Sequence, residues 1–142
     1  MQTWMIYALL SAVAAALTGI FAKVGLEGID STMATALRAI VGAVYLTLFT
    51  FALGKWPHAR NLHPKAILMI VLAGLAGSTS WLLQYRAYAI GGPVSKIAAI
   101  DKLSVPMAVI LAVILLREQL GWINWIGVAL VVAGAYLVAR PA

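Results

Sequence analysis

"PVSKIAAIDKLSVPMAVILAVILL", residues 93 to 116, carries Asp101, Lys102 and Pro106 near the middle of an otherwise apolar run. A bilayer core of about 30 Å takes roughly 20 apolar residues of helix, and this stretch is long enough to cross it. Its second half, from Leu103 to Leu116, has no charged residue. The stretch therefore reads as a spanning helix interrupted by an acid, a base and a proline.

Working outward, four more segments meet the same criterion, at about 3–23, 31–54, 65–88 and 120–139. The breaks are "KVGLEGIDS", "GKWPHARNLHPK", "AIGGP" and "REQLG", all short, as antiparallel neighbours in one bundle require. The expected fold class is all-α: a polytopic membrane protein in which residues 1–142 form a single domain of five transmembrane helices. Composition agrees. Hydrophobic residues make up 64% of the chain and charged ones 10%, with mean hydropathy +1.02, against about 25% charged in soluble domains. A soluble domain of this size could not bury so much apolar surface. No Lys or Arg precedes the first apolar run, which is therefore expected to be the first span rather than a cleaved leader.

A net charge of +6 suggests nucleic acid at first sight, but the Lys and Arg residues are scattered and form no basic stripe, so no nucleic-acid partner is expected. The chain has no cysteine, which removes disulfides and cysteine-based metal or redox sites. His58 and His63 share one polar loop and are expected to be solvated, and no metal or cofactor is anticipated. Nor is there a nucleophile with a base, a carboxylate pair or a glycine-rich phosphate loop, so an enzyme is not expected.

Orientation rests on the Lys and Arg near the span ends and in the loops, counted by side of the membrane. Lys55, Arg60, Lys65 and Arg117 fall on the side of the N-terminus, and Lys23, Arg86, Lys96 and Arg140 on the other: four against four. An odd number of spans without charge bias is the pattern of a dual-topology protein, whose two copies pair antiparallel and so reproduce an inverted repeat. The competing reading is a single orientation, with the inverted half supplied by a second protein.

At 1.5 Å per residue, Asp101 lies about 12 Å into its span from Pro93, and Arg38 about 10 Å into the second from Ser31. Each charge costs roughly 2.5 to 3.5 kcal/mol near the membrane centre, so these groups must face one another or water. Neighbours on a helix point about 100° apart, so Asp101 and Lys102 are not expected to pair; Asp101 is expected to pair with Arg38, leaving Lys102 to a cavity or substrate. Pro106 cannot donate to the carbonyl of Lys102, predicting a kink and a free backbone oxygen there. In the third span Trp81 and Gln84, three apart, share a face and offer a ring and an amide to a ligand. The pathway expected from these readings comprises Arg38, Trp81, Gln84, Asp101, Lys102 and Pro106, with Asp101 the one membrane-embedded acid able to carry a coupling proton. The alternatives are a structural charge triad that only locks the bundle, and Tyr85 and Tyr88 as interfacial belt residues beside a snorkelling Arg86.

Small-residue stripes mark close helix approach in lipid. Ala8, Ala12, Ala15, Gly19 and Ala22 form one on the first span; Gly127 and Gly134, flanked by Leu130 and Val131, form another on the fifth, serving either packing within the chain or a dimer seam.

The stretches "FAKVGLEGIDSTMATALRAIVGA" and "LLREQLGWINWIGVALVVAGAYLV", with Arg38 after the first loop and Glu118 ahead of Gly127 and Gly134, resemble the EamA domain of the drug/metabolite transporter superfamily. The resemblance covers nearly the whole chain as one repeat. Most such proteins carry two inverted repeats, whereas this one looks like the short five-helix bacterial and archaeal members. It is similar in plan to the small multidrug resistance proteins, but its first span lacks their carboxylate. The resemblance implies a small-solute transporter (metabolite or drug) assembled from two chains in the cytoplasmic membrane of a prokaryote and working by alternating access. Other functions considered are a non-transporting membrane assembly subunit and a component of a lipid-carrier flippase.

Overall fold

Asp30 begins the second helix because its carboxylate accepts the backbone N–H groups of Thr32 (2.9 Å) and Met33 (3.1 Å), two donors that a helix start leaves without partners. The helix ends where Gly54 takes a φ of +63°. There the Gly54 N–H reaches Phe51 O (2.9 Å) and the Lys55 N–H reaches Thr50 O (3.2 Å), a Schellman motif that a side chain at position 54 would strain. Signals of this kind divide the chain, in the computed structural model, which describes residues 2–56 and 63–141, into α1 (Thr3–Gly25), α2 (Ser31–Ala52), α3 (Pro64–Ala89), α4 (Val94–Asp101), α5 (Ser104–Leu115) and α6 (Trp122–Ala139). There is no strand among the described residues. His58 and Arg60 lie outside them. His63 is exposed and caps α3, its ring accepting the Lys65 N–H at 3.4 Å, with Pro64 in the first turn where a missing N–H costs nothing.

Five segments are long and apolar enough to cross a membrane, α4 and α5 together forming the fourth, Val94–Leu115. The expected interruption of that span is present, but its chemistry differs from expectation. α4 stops at Asp101, and the Lys102 carbonyl, which Pro106 cannot serve, accepts the Val105 N–H at 3.0 Å instead of standing free. A tighter three-residue turn thus replaces the lost helical bond.

The residues fall into two units: Phe21–Ile90, holding α2, α3 and the last turn of α1, and a second made of residues 1–20 and Gly91–Ala142. In the first, α2 packs on α3, and the buried positions are Ala22, Ser31, Thr35, Tyr85 and Tyr88. In the second, α6 packs on α4 and α5, burying Pro106 and Ala135. The buried set is small or hydrogen-bonding, while large apolar side chains such as Leu83 and Leu130 are exposed. Lipid accounts for this pattern: tails solvate leucine as well as another helix does, so close packing falls to small residues.

Candidate functional site

On α2, the spacing of Ser31, Ala34, Thr35, Arg38 and Gly42 places them on one helix face, and all are buried or half-buried. The matching face of α3 carries Gly77, Trp81, Gln84, Tyr85 and Tyr88. The two helices run antiparallel by topology. Arg38 lies seven residues from the start of α2 and Trp81 eight from the end of α3, so the two are brought level. The guanidinium carbon lies 4.0 Å from the Trp81 ring centroid and 5.9 Å from that of Tyr85.

Contact with the rings engages the positive charge but offers the N–H groups no acceptor of the usual kind. Nη1 of Arg38 is shielded from solvent and has no hydrogen-bond partner among the described residues. A desolvated cation–π contact gives back about 2 kcal/mol, against roughly 2.5 to 3.5 kcal/mol for a charge at this depth. The contact offsets much of the cost, and the balance is what an anion at Nη1 would relieve.

Two cavities of the unit open on either flank of the α2 face that carries Arg38, whose own side chain is not part of either lining. Thr35 and Ala39, on one flank of α2, line a cavity of about 300 Å³ with Ser78, Thr79 and Trp81. Ala34 and Leu37, on the other, line one of about 170 Å³ with Phe21, Ala22 and Tyr85. Each ring that holds the guanidinium thus walls one cavity, and no Asp or Glu lines either. Gln84 is half-buried on the same face of α3 as the rings.

Asp101, Lys102 and Pro106 belong to the other unit. Contrary to the helical-wheel expectation, Lys102 Nζ lies 3.6 Å from Asp101 Oδ2, because the helix has ended at Asp101 and the 100° divergence no longer applies. Both side chains remain well exposed. Arg38 and Asp101 thus each have a partner inside their own unit: the Trp81 ring for one, the Lys102 ammonium for the other. On α6, Val128, Ala135 and Ala139 share the inward face, whereas Gly127, Leu130 and Gly134 are exposed, and a Cβ added at either glycine would meet nothing within 4 Å.

Two features escaped the sequence reading. Tyr85, taken as an alternative belt residue, is buried beneath Arg38; its spacing of four from Trp81 is the signal that places both on one face. Lys23, counted as a loop charge, donates to the Tyr88 carbonyl at 2.7 Å and so caps the C-terminal end of α3. At the same end of the unit, the backbone N–H groups of Met33 and then Thr32 hold the Asp30 carboxyl below its usual range, with the charge of Arg86 adding to the effect.

The model of the EamA-like transporter family matches residues 2–140. A protein of Sinorhizobium sp named "Uncharacterized transporter in cobO 3'region" is 41% identical over 138 residues, covering 97% of each chain. No solved structure matches the chain. With five apolar spans and these matches, the chain belongs to the EamA-like transporter family, as a transporter of the membrane.

Proposed function

We propose that the protein carries a small organic solute across the cytoplasmic membrane of a prokaryote by alternating access, as an antiparallel homodimer of dual topology, with Asp101 taking up a coupling proton. The observation that carries this reading is Arg38: a permanent charge, clamped by aromatic rings within a spanning helix pair and flanked by cavities, is a means of holding cargo at membrane depth. Trp81 is the shared wall of that site, and Gln84 completes its polar face.

The four-against-four charge count supports insertion in both orientations. Two copies so inserted have the symmetry from which alternating access follows, one arrangement open to each side. The open ridge of Gly127, Leu130, Val131 and Gly134 suits the seam, because glycines let backbones approach closely in lipid. In the broken fourth span, protonation of Asp101 would release Lys102, and the turn before Pro106 supplies a place to hinge.

The test uses the absence of native cysteine. Glu27→Cys places a thiol in the exposed loop between α1 and α2, and intact cells are treated with a membrane-impermeant thiol reagent before and after permeabilisation. About half the thiols reacting before permeabilisation is the expected result. Reaction confined to one stage means a single orientation, sinks the homodimer and directs the search to a second chain.

A further inference from the structure

The Arg38–Trp81 site points to a cargo of one chemical class: we propose that it takes small organic monocarboxylates with a compact apolar body, the carboxylate on Arg38 and the body in the larger cavity. The inference rests on the transport reading above and deepens it by naming what is carried.

Three observations converge. The first is the free edge of the guanidinium. The guanidinium carbon of Arg38 sits over the Trp81 ring at 4.0 Å, a contact that takes no N–H from it, and Nη1 is buried without a partner among the described residues. Planar N–H donors in a rigid fork match a carboxylate, which accepts two of them side by side. A guanidinium also repels cationic ligands, and no acid lines the cavity to compensate.

The second is the chemistry of the wall. Thr35 and Thr79 line the cavity, yet their hydroxyl hydrogens are already given to the carbonyls of Ser31 (2.7 Å) and Leu75 (2.8 Å). They can still accept hydrogen bonds but donate none. The rest of the wall is Thr32, Ser78 and Trp81 with the apolar Ala36, Ala39, Leu75 and Leu82, so the donors are few beside the apolar surface, and a mainly apolar body suits it better than one rich in acceptors.

The third is size. The cavity holds about 300 Å³, room for about ten non-hydrogen atoms at the ~30 Å³ that a water molecule occupies in the liquid. Trp81 belongs both to this wall and to the clamp on Arg38, so a ligand anchored by its carboxylate has its body directed along the indole.

Calorimetry on the purified full chain in detergent tests the proposal with acetate, butyrate and benzoate, and with benzamide as the neutral counterpart of the largest. Wild type is expected to bind benzoate at least tenfold more tightly than benzamide, and the acids in the order benzoate, butyrate, acetate. Arg38→Gln should erase the preference for the acid over the amide. Ala39→Leu, which narrows the cavity and leaves Arg38 in place, should weaken benzoate tenfold and acetate less than twofold. Circular dichroism confirms that both variants fold. Equal binding of benzoate and benzamide, or a preference that survives Arg38→Gln, overturns the carboxylate assignment; three acids binding alike overturns the cavity assignment. Proteoliposomes separate this from the transport reading. Binding as expected with benzoate flux no greater than in protein-free vesicles leaves the site standing and removes the transporter, whereas protein-dependent flux indifferent to Arg38→Gln does the reverse.

Discussion

The Arg38 guanidinium carbon sits over the indole of Trp81, 4.0 Å from its centroid, joining the first third of α2 to the last third of α3. Away from water such a contact is worth about 1 to 2 kcal/mol. A double-mutant cycle of Arg38→Met and Trp81→Leu, read by thermal or denaturant unfolding in detergent, should give a coupling energy in that range. Trp81→Phe should retain about half of it, since phenylalanine keeps a π-face but a weaker one.

Lys23 joins the end of α1 to the Tyr88 carbonyl in the last turn of α3. Hydrogen bonds from charged donors contribute about 1.5 to 3 kcal/mol, and partial exposure trims this, so Lys23→Met should cost about 1 to 2 kcal/mol. Lys23→Arg should recover most of the loss. Equal stability of wild type and Lys23→Met would show that the bond contributes nothing.

The Asp101–Lys102 pair, 3.6 Å apart at the break in the fourth span, is exposed within its unit, and a pair open to water contributes less than about 1 kcal/mol. Asp101→Asn should therefore leave unfolding and oligomeric state nearly unchanged while abolishing proton-driven transport in reconstituted vesicles. Normal proton-driven uptake by the variant would remove Asp101 from the mechanism.

Arg117 has a φ of +56°, a left-handed conformation that side chains other than glycine resist, and there the Glu118 N–H turns back to Ala112 O at 3.3 Å. Arg117→Gly should stabilise the chain by about 1 kcal/mol. It also leaves three charges against four across the membrane, so the labelled fraction of Glu27→Cys should move away from one half.

Asp30 caps α2 with its carboxyl held below its ordinary value of 3.8. A carboxyl that binds its proton less readily when folded contributes stability that is complete above that ordinary value and is lost as the pH falls through the lowered one. The melting temperature of wild type should drop faster than that of Asp30→Asn as the pH is taken below 4. Asparagine caps without titrating, so parallel curves would mean that the ionised carboxylate has no special role.

Local chemistry accounts for what was legible in the chain. Apolar runs of membrane length, punctuated by Asp30, Gly54, Pro64 and Pro106, place the five spans and the break in the fourth, because hydropathy and helix ends are decided within a few residues. The same spacing marks Arg38 and Trp81 as candidates, since a charge and a large ring at membrane depth need a reason. Pairing was another matter. Which ring of α3 comes level with Arg38 is set by the antiparallel packing of α2 on α3. Lys102 meets its neighbour Asp101 because the chain turns there, where a continuous helix would have held them apart. Lys23 caps a helix distant in sequence. Each of these partners was decided by the meeting of surfaces in space, which no period along a single helix contains.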